Sequence, residues 1–388
     1  MNLIEVTDKK TKKLFNKLPL LLYKNNPDYA CPLVSMVEET FDPLKNSFFN
    51  HGKAIRWVLT NKKGEPIGRI AAFIDYEKAN TFDQPTGNIG FFECINGQEA
   101  ADILFNSAKE WLSSNGMEAM DGPANMGENY MNHGLLAWGY QPQGFGMPYN
   151  PPYYVTLFEN FGFMVYYEQY TYHIDYTKPM PERLWKIAQW VGNKPQFSFK
   201  HFDWSQSEQF IDDFGKVYEG AWHKHEHYKP VDRGELKNFL VSSKMILIPE
   251  FIWFAYHENE PIGLLVMLPD FNQALRHLKN GRLTLWNMLK LIRFIKKEKY
   301  TRTRILIMGI VERFQKSGIE SAILWYMDKK VMPTKPQYTE VEMSWAGDFN
   351  PKMVAIYKAT GGVHAKTHYQ MRYLFDREKP FERCKIIE

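Results

Sequence analysis

Two stretches of the chain occur twice, in the same order and at nearly the same spacing. Gly64-Glu65-Pro66-Ile67-Gly68-Arg69-Ile70 through Asp75 is matched by Asn259-Glu260-Pro261-Ile262-Gly263-Leu264-Leu265 through Asp270. Leu157-Phe158-Glu159-Asn160-Phe161-Gly162-Phe163 and the alternating run Met164 to Ile174 are matched by Ile356-Tyr357-Lys358-Ala359-Thr360-Gly361-Gly362 and the run Val363 to Tyr373. Offsets of about 195 and 199 residues make a duplicated domain a far better account than chance. A chain of 388 residues can bury two sizeable cores. The copies are expected to meet in the segment Tyr176 to Pro181, which divides the chain into 1–177 and 178–388.

Each copy reads as an α/β domain. The repeated hairpin is entered by Arg56 to Thr60 in the first copy and by Phe251 to His257 in the second. Asn88 to Cys94 reads as a buried strand. Gln98 to Asn115 reads as an amphipathic helix, with Ala101, Leu104, Ala108, Trp111 and Leu112 on one face. Met117 to Met120 is the next strand, and the long passage from there to Tyr154 is rich in Gly, Pro, Met and Tyr, which predicts an ordered, packed loop. In the second copy the spacing predicts helices over 181–191, 205–218, 232–242 and 317–327, and strands over 304–311 and 338–345. An insertion over 271–299 reads as two further helices.

The second copy closes on Asn350-Pro351-Lys352-Met353-Val354-Ala355-Ile356-Tyr357-Lys358-Ala359-Thr360-Gly361. Pro351 in a first turn, Met353, Ile356 and Tyr357 at helical spacing, and Gly361 as a stop predict a short helix feeding a strand. The pattern Asn-x-x-Met-x-x-Ile-Tyr-Lys-x-x-Gly resembles the last helix of the GNAT superfamily of acyl-CoA N-acyltransferases. That resemblance implies a tandem duplication of the GNAT fold, each copy a mixed, mostly antiparallel twisted sheet flanked by helices. It implies acyl-CoA, most simply acetyl-CoA, as co-substrate, and Tyr357 as the acid that protonates the departing thiolate. On spacing alone, Tyr357 is equally the inward-facing aromatic of an amphipathic helix.

The resemblance further implies a strand running into a loop whose backbone N–H groups, with the end of the next helix, hold the pyrophosphate of coenzyme A. Met308, Gly309, Ile310 and Val311 are that strand here, Gln315, Lys316, Ser317, Gly318 and Ile319 are the loop, and Asn350 joins the cofactor set. Glu320 stands where a second small residue is expected, and a carboxylate there opposes a pyrophosphate unless it points away. The equivalent loop of the first copy, Glu93 to Gln98, lacks the glycine spacing, and Phe158 at the position of Tyr357 has no proton to donate. The cofactor is therefore expected in the second copy.

Acyl transfer to an amine needs a base and an oxyanion donor. Glu340 and Glu342, on one face of a strand, are the candidate bases, with Glu312 and His364 beside them; a solvated or salt-bridged role is the commoner one for such residues. Trp222, His227, Tyr149 and Tyr153 are the expected contacts to a small-molecule or peptide amine acceptor. The triple His223-x-His225-x-His227 lacks a partner motif and is flanked by Lys224 and Lys229, so no metal is expected.

From Arg276 to Arg304 ten Lys or Arg face one acid, Glu298, and Leu285, Trp286, Met288, Leu289, Ile292 and Phe294 run between them. A basic amphipathic helix of this kind suits an anionic surface as well as packing against the first copy. A formal net charge of only +4 and aromatics that are not interleaved with the bases on one face argue against nucleic acid. Three scattered cysteines, Cys31, Cys94 and Cys384, and a charged N-terminus fit a cytoplasmic protein, and no apolar run reaches the roughly 20 residues of a spanning helix. The function expected is N-acyl transfer from acyl-CoA. Two alternatives stand beside it: a non-catalytic ligand-binding protein of the same fold, and Fem-like transfer from aminoacyl-tRNA.

Overall fold

The computed structural model describes residues 1–126, 132–223, 230–278 and 280–387. In the first half the order is β1 (Asn2–Glu5), α1 (Lys9–Leu22), α2 (Val34–Thr40), β2 (Gly52–Thr60), β3 (Pro66–Asp75), β4 (Thr86–Cys94), α3 (Gln98–Ser114), β5 (Ala119–Gly122), β6 (Leu135–Trp138), α4 (Tyr153–Phe161) and β7 (Met164–Asp175). After α5 (Glu182–Gly192) the same order returns. It runs β8 (Phe197–His201), α6 (Ser207–Trp222), α7 (Arg233–Ser243), β9 (Ile252–His257) and β10 (Glu260–Pro269), then β11 (Arg302–Ile310), α10 (Ile319–Lys330), β12 (Glu340–Glu342), β13 (Ala346–Gly347), α11 (Pro351–Ala359) and β14 (Val363–Leu374). Among its described residues the insertion forms one full helix, α9 (Leu285–Lys296), preceded by a single turn, α8 (Asn272–Leu275).

Local chemistry sets the ends of these elements. Asp8 accepts the Thr11 N–H and Thr11 returns the bond, a capping box that starts α1. Asn350 accepts the Met353 N–H at the start of α11, and Thr284 accepts the Asn287 N–H at the start of α9. The elements that periodicity alone does not reveal are the short ones. β1 and β8 are edge strands of four and five residues, too short to show an alternation.

The strands form one continuous sheet in the order β1-β2-β3-β4-β5-β14-β7-β12-β11-β10-β9-β8, with β6 beside β14 and β13 beside β7. Its centre is an exchange. β14, the last strand of the second copy, pairs with β5 of the first, and β7, the last strand of the first copy, pairs with β12 of the second. The cores follow the exchange: Met371 and Tyr373 of β14 pack among the first copy's apolar residues, and Tyr172 and Ile174 of β7 among the second's. The segment after Asp175, where the sequence divides, therefore separates two copies that do not keep their own last strands.

Two polar pairs lock the exchange, one buried and one part-buried, and they occupy equivalent positions. Asp121 on β5 faces Arg372 on β14, and the guanidinium donates to both carboxylate oxygens at 2.7 and 2.8 Å. Glu342 on β12 faces His173 on β7, with His173 Nε2 3.0 Å from a Glu342 oxygen. Removing one partner of a buried pair strands the other's charge and costs about 3–5 kcal/mol. Arg372→Met is accordingly expected to lower the unfolding free energy by about that much, measured by urea denaturation, and to loosen β14 from β5 first.

Candidate active site

β4 and β5 are parallel neighbours for three residue pairs, as are β11 and β12, and then each pair parts. The two resulting wedges differ in what occupies them. In the first copy the chain beyond β5 turns back onto β4, with the Ala124 N–H donating to the Ile89 carbonyl. Tyr154 accepts the Cys94 N–H at 2.8 Å and donates to buried Glu93, and Tyr153 donates to the Cys94 carbonyl at 2.7 Å. Phe158 fills the space behind them against Phe92, Phe105 and Phe163. The wedge is closed by the protein's own side chains.

In the second copy Arg304 and Glu342 are the last paired residues. Met343 then bonds to Tyr172 of β7 rather than to β11, and Ala346–Gly347 continue along β7. Among the described residues, Ile305 to Ile310 have no strand on that side. At the fork the Tyr357 hydroxyl lies 2.6 Å from Ser344 Oγ, and its ring packs edge-on to Tyr172. Burial pushes the Tyr357 hydroxyl up to about 12, against the pull of the Ser344 hydrogen bond and the Arg304 charge, so it carries its proton at neutral pH.

Beyond β11, a single 3-10 turn leads to Gln315, whose side chain donates to the Ile310 carbonyl. Lys316 and Gly318 then both take positive φ, 63° and 86°. A Cβ on Gly318 would also come within 2.6 Å of Ile187 on α5, so only glycine fits this turn. The N-cap residue of α10, Gly318, offers no side chain to its first N–H groups. Glu320 lies in that first turn, half-buried, its carboxyl bonded to its own backbone N–H and Oε2 lacking a partner among the described residues. Burial raises its pKa. The Trp222 indole, at the end of α6, lies against Gly309, where a Cβ would come within 2.1 Å of it.

Behind the fork lies a charged cluster that the sequence does not announce. Glu342 is fully buried, 2.5 Å from Lys366 Nζ and 3.9 and 3.7 Å from Arg302 and Arg304. His173 bridges it to Glu340, with Nδ1 2.8 Å from Glu340. Asp270 takes Arg302 at 2.5 Å. The loop from the first copy closes this cluster, because Arg302 and Lys366 donate to the Pro142 carbonyl, Arg304 donates to that of Phe145, and Gly144 lies where a Cβ would strike Glu342. Burial favours a neutral Glu342, but Lys366, the bonded His173 and the two arginines outweigh it and hold the carboxyl well below the usual range. For Glu340 the same balance of burial against His173 and Arg302 also ends below the usual range. Such carboxylates resist protonation, the opposite of what a base requires.

His364 has the contrary character. Its ring stacks on Trp138 at 4.8 Å and lies against Tyr172, which also touches Tyr357. Nε2 faces the Thr367 hydroxyl at 3.0 Å and the Lys366 carbonyl at 3.1 Å; the carbonyl can only accept, which favours the proton on Nε2 and a lone pair on Nδ1. Burial, chiefly, lowers its pKa and keeps the ring neutral at pH 7.

Tyr357, Glu342 and Glu340 thus lie where β11 and β12 part, and Trp222 with the Gly309 to Ile319 segment lies at the other end of β11. Asn350 stands apart as the cap of α11. Tyr149, which accepts from Asn26, and Tyr153 stay in the first copy. His225 and His227 lie outside the described residues. His173 and Lys366 escape sequence reasoning because they meet Glu342 through strand exchange, Ser344 and Asp270 because their partners Tyr357 and Arg302 lie elsewhere in the chain, and the need for space at Gly144 leaves no local signature.

No family model matches the chain. A bacterial ceramide synthase from Caulobacter vibrioides (strain NA1000 / CB15N) is 27% identical over 376 residues, covering 95% of this chain and 96% of that protein. Protein YghO from Escherichia coli (strain K12) is 24% identical over 350 residues, 89% and 88% of the two chains. A tandem GNAT protein from the clavulanic acid biosynthesis pathway superposes on 98% of this chain and 99% of its own with a TM-score of 0.59 at 10% identity. The chain carries a tandem GNAT fold. A GCN5-related N-acetyltransferase from Sphaerobacter thermophilus matches 98% of each chain with a TM-score of 0.52 and 11% identity. In GNAT terms the first wedge is sealed and the second is open.

The sign of the pH dependence follows from the cluster. Glu342, its folded pKa depressed, contributes stability that is present above the ordinary carboxylate pKa of 4.5 and is lost as pH falls through the folded value. His173, its folded pKa raised because bonds to Glu340 and Glu342 outweigh burial, contributes stability that is full below 6.5 and fades as pH rises through the folded value. The gap in thermal midpoint between wild type and His173→Asn is therefore expected to narrow on the alkaline side.

Proposed function

We propose that the protein transfers an acyl group from acyl-CoA to the amine of a long-chain amino alcohol, forming an amide. The buried Tyr357 hydroxyl at the open fork carries this reading, and the 27% identity over nearly the whole chain with a protein named bacterial ceramide synthase points to the acceptor, since a ceramide is an N-acylated long-chain amino alcohol. In this reading the N–H groups of Gly318 to Ser321 and the left-handed turn at Lys316 hold the pyrophosphate, the free edge of β11 from Met308 to Ile310 binds along the pantetheine, and Trp222 borders the acceptor. His364 Nδ1 takes the proton from the attacking amine, and the imidazolium shares it with solvent through its half-exposed ring. A backbone N–H on the free edge of β11 steadies the oxyanion. Tyr357 then gives its proton to the departing thiolate, and Ser344 orients the phenol.

The same likeness to a protein named bacterial ceramide synthase favours a longer acyl donor over acetyl, the simplest one. Glu320 favours a second possibility, a donor without a pyrophosphate, because an ionised carboxylate in the first turn of α10 repels one. Its raised pKa decides how this plays out: coenzyme A affinity is expected to fall as pH rises through that pKa, and to be nearly flat with pH in Glu320→Gln, read by calorimetric titration.

The direct test follows release of free thiol from acyl-CoA in the presence of sphinganine, with the amide identified by mass spectrometry. Wild type is expected to turn over, with Tyr357→Phe and His364→Ala each slowed by about 10²-fold or more. Thiol release unaffected by Tyr357→Phe would remove the acid from the mechanism.

A further inference from the structure

The insertion between β10 and β11 presents an apolar surface to solvent. On α9, Leu291, Phe294 and Ile295 turn inward onto the second copy's core, and buried Asn287 donates to the Arg282 carbonyl and to Asn280. The opposite side is outward: Leu285 and Trp286 are 72% and 76% exposed, with Leu283, Met288 and Leu289 beside them. Five large apolar side chains in seven residues, all exposed, are not the solvated face of an ordinary surface helix.

The bases around them are free. Arg282, Lys290, Arg293, Lys296, Lys297 and Lys299 are exposed, and none pairs with an acid among the described residues. Arg302 and Arg304, which the sequence groups with them, instead turn inward to Asp270 and Glu342. Glu298, the one acid of the segment, is engaged by Gln337. The result is an apolar ridge at the start of α9 with unopposed positive charge along the rest of the helix.

Placement adds a third observation. The chain returns from α9 into Arg302, two residues before β11 and β12 part. The insertion that carries the ridge therefore leaves and re-enters the sheet at the end of β11 opposite the Val311 to Ile319 turn.

We infer that α9 and the segment before it seat the protein on an anionic lipid bilayer, with Leu283, Leu285, Trp286, Met288 and Leu289 entering the interface and the bases meeting lipid phosphates. Apolar burial alone would suit a second copy of the chain or a neutral membrane. Six bases without counter-charges would repel one another across a symmetric dimer, whereas each gains from an anionic surface. Trp at the tip and Lys or Arg alongside is the composition of a helix lying in the plane of the interface. This surface extends the lipid-acceptor reading, because an acceptor amine with a long alkyl chain resides in a membrane.

Vesicle sedimentation with the full chain tests it without any substrate, so its failure and that of the acyl-transfer reading are separable. Wild type is expected to sediment with phosphatidylcholine vesicles containing about one third phosphatidylglycerol, to be released by raised salt, and to stay in the supernatant with phosphatidylcholine alone. Leu285→Ser with Trp286→Ser, and separately Lys290→Glu with Arg293→Glu, are each expected to weaken binding by about tenfold or more while leaving the circular dichroism spectrum unchanged. Equal binding to neutral vesicles, no binding to either, or a wild-type dimer that Trp286→Ser dissociates would each overturn the inference. Turnover of a water-soluble short-chain amine by the double serine variant at the wild-type rate would show the surface acting apart from the chemistry.

Discussion

The exchange of last strands at the centre of the sheet is the constraint on which the rest depends. Each copy supplies a carboxylate on its fifth strand, Asp121 or Glu342, and each receives its counter-charge from the other copy's last strand, Arg372 or His173. Asp121, Arg372 and Glu342 are buried, so separating the halves would strand their charges. The two pairs have diverged in use. Asp121 and Arg372 close on each other in a two-bond clasp, whereas Glu342 has gathered Lys366, Arg302, Arg304 and a neighbour through His173. The richer cluster stands directly behind the fork where β11 and β12 part.

That position gives the cluster its bearing on chemistry. Arg304 touches Glu342 on one side and lends its charge to Tyr357 on the other. Lys366 holds the strand that presents His364, and Tyr172 on the exchanged β7 sits between His364 and Tyr357. The groups assigned to acid and base both come from the second copy, on α11 and β14, and the first copy's β7 supplies the Tyr172 ring packed against both. The first copy, relieved of that task, has filled its own wedge with Tyr153, Tyr154 and Phe158 and lends a loop, Gly139 to Pro148, to seal the second copy's charges.

Much of this was legible in the sequence, for physical reasons that also mark where legibility stopped. The repeated hairpin and the Tyr357 helix announce themselves because turn chemistry and helical spacing are local. Phe158 in place of Tyr357 correctly signals an asymmetry between copies. The partner of β14 is not legible, because alternation says which side a residue faces and nothing about whose sheet it joins. For the same reason Glu342 reads as a possible base when its surroundings, drawn from four strands and a distant loop, make it an anchor. The basic insertion illustrates the same limit: a count of charges cannot tell Arg302 and Arg304, turned inward, from Lys290 and Arg293, turned out.

The central claim, that only the second wedge receives coenzyme A, is tested most directly by hydrogen–deuterium exchange with and without saturating coenzyme A. The account expects slowed exchange over Ile305 to Ser321 and at Ser344, with Ile89 to Gln98 unchanged. Protection of the first copy's strand, or of neither, would contradict it.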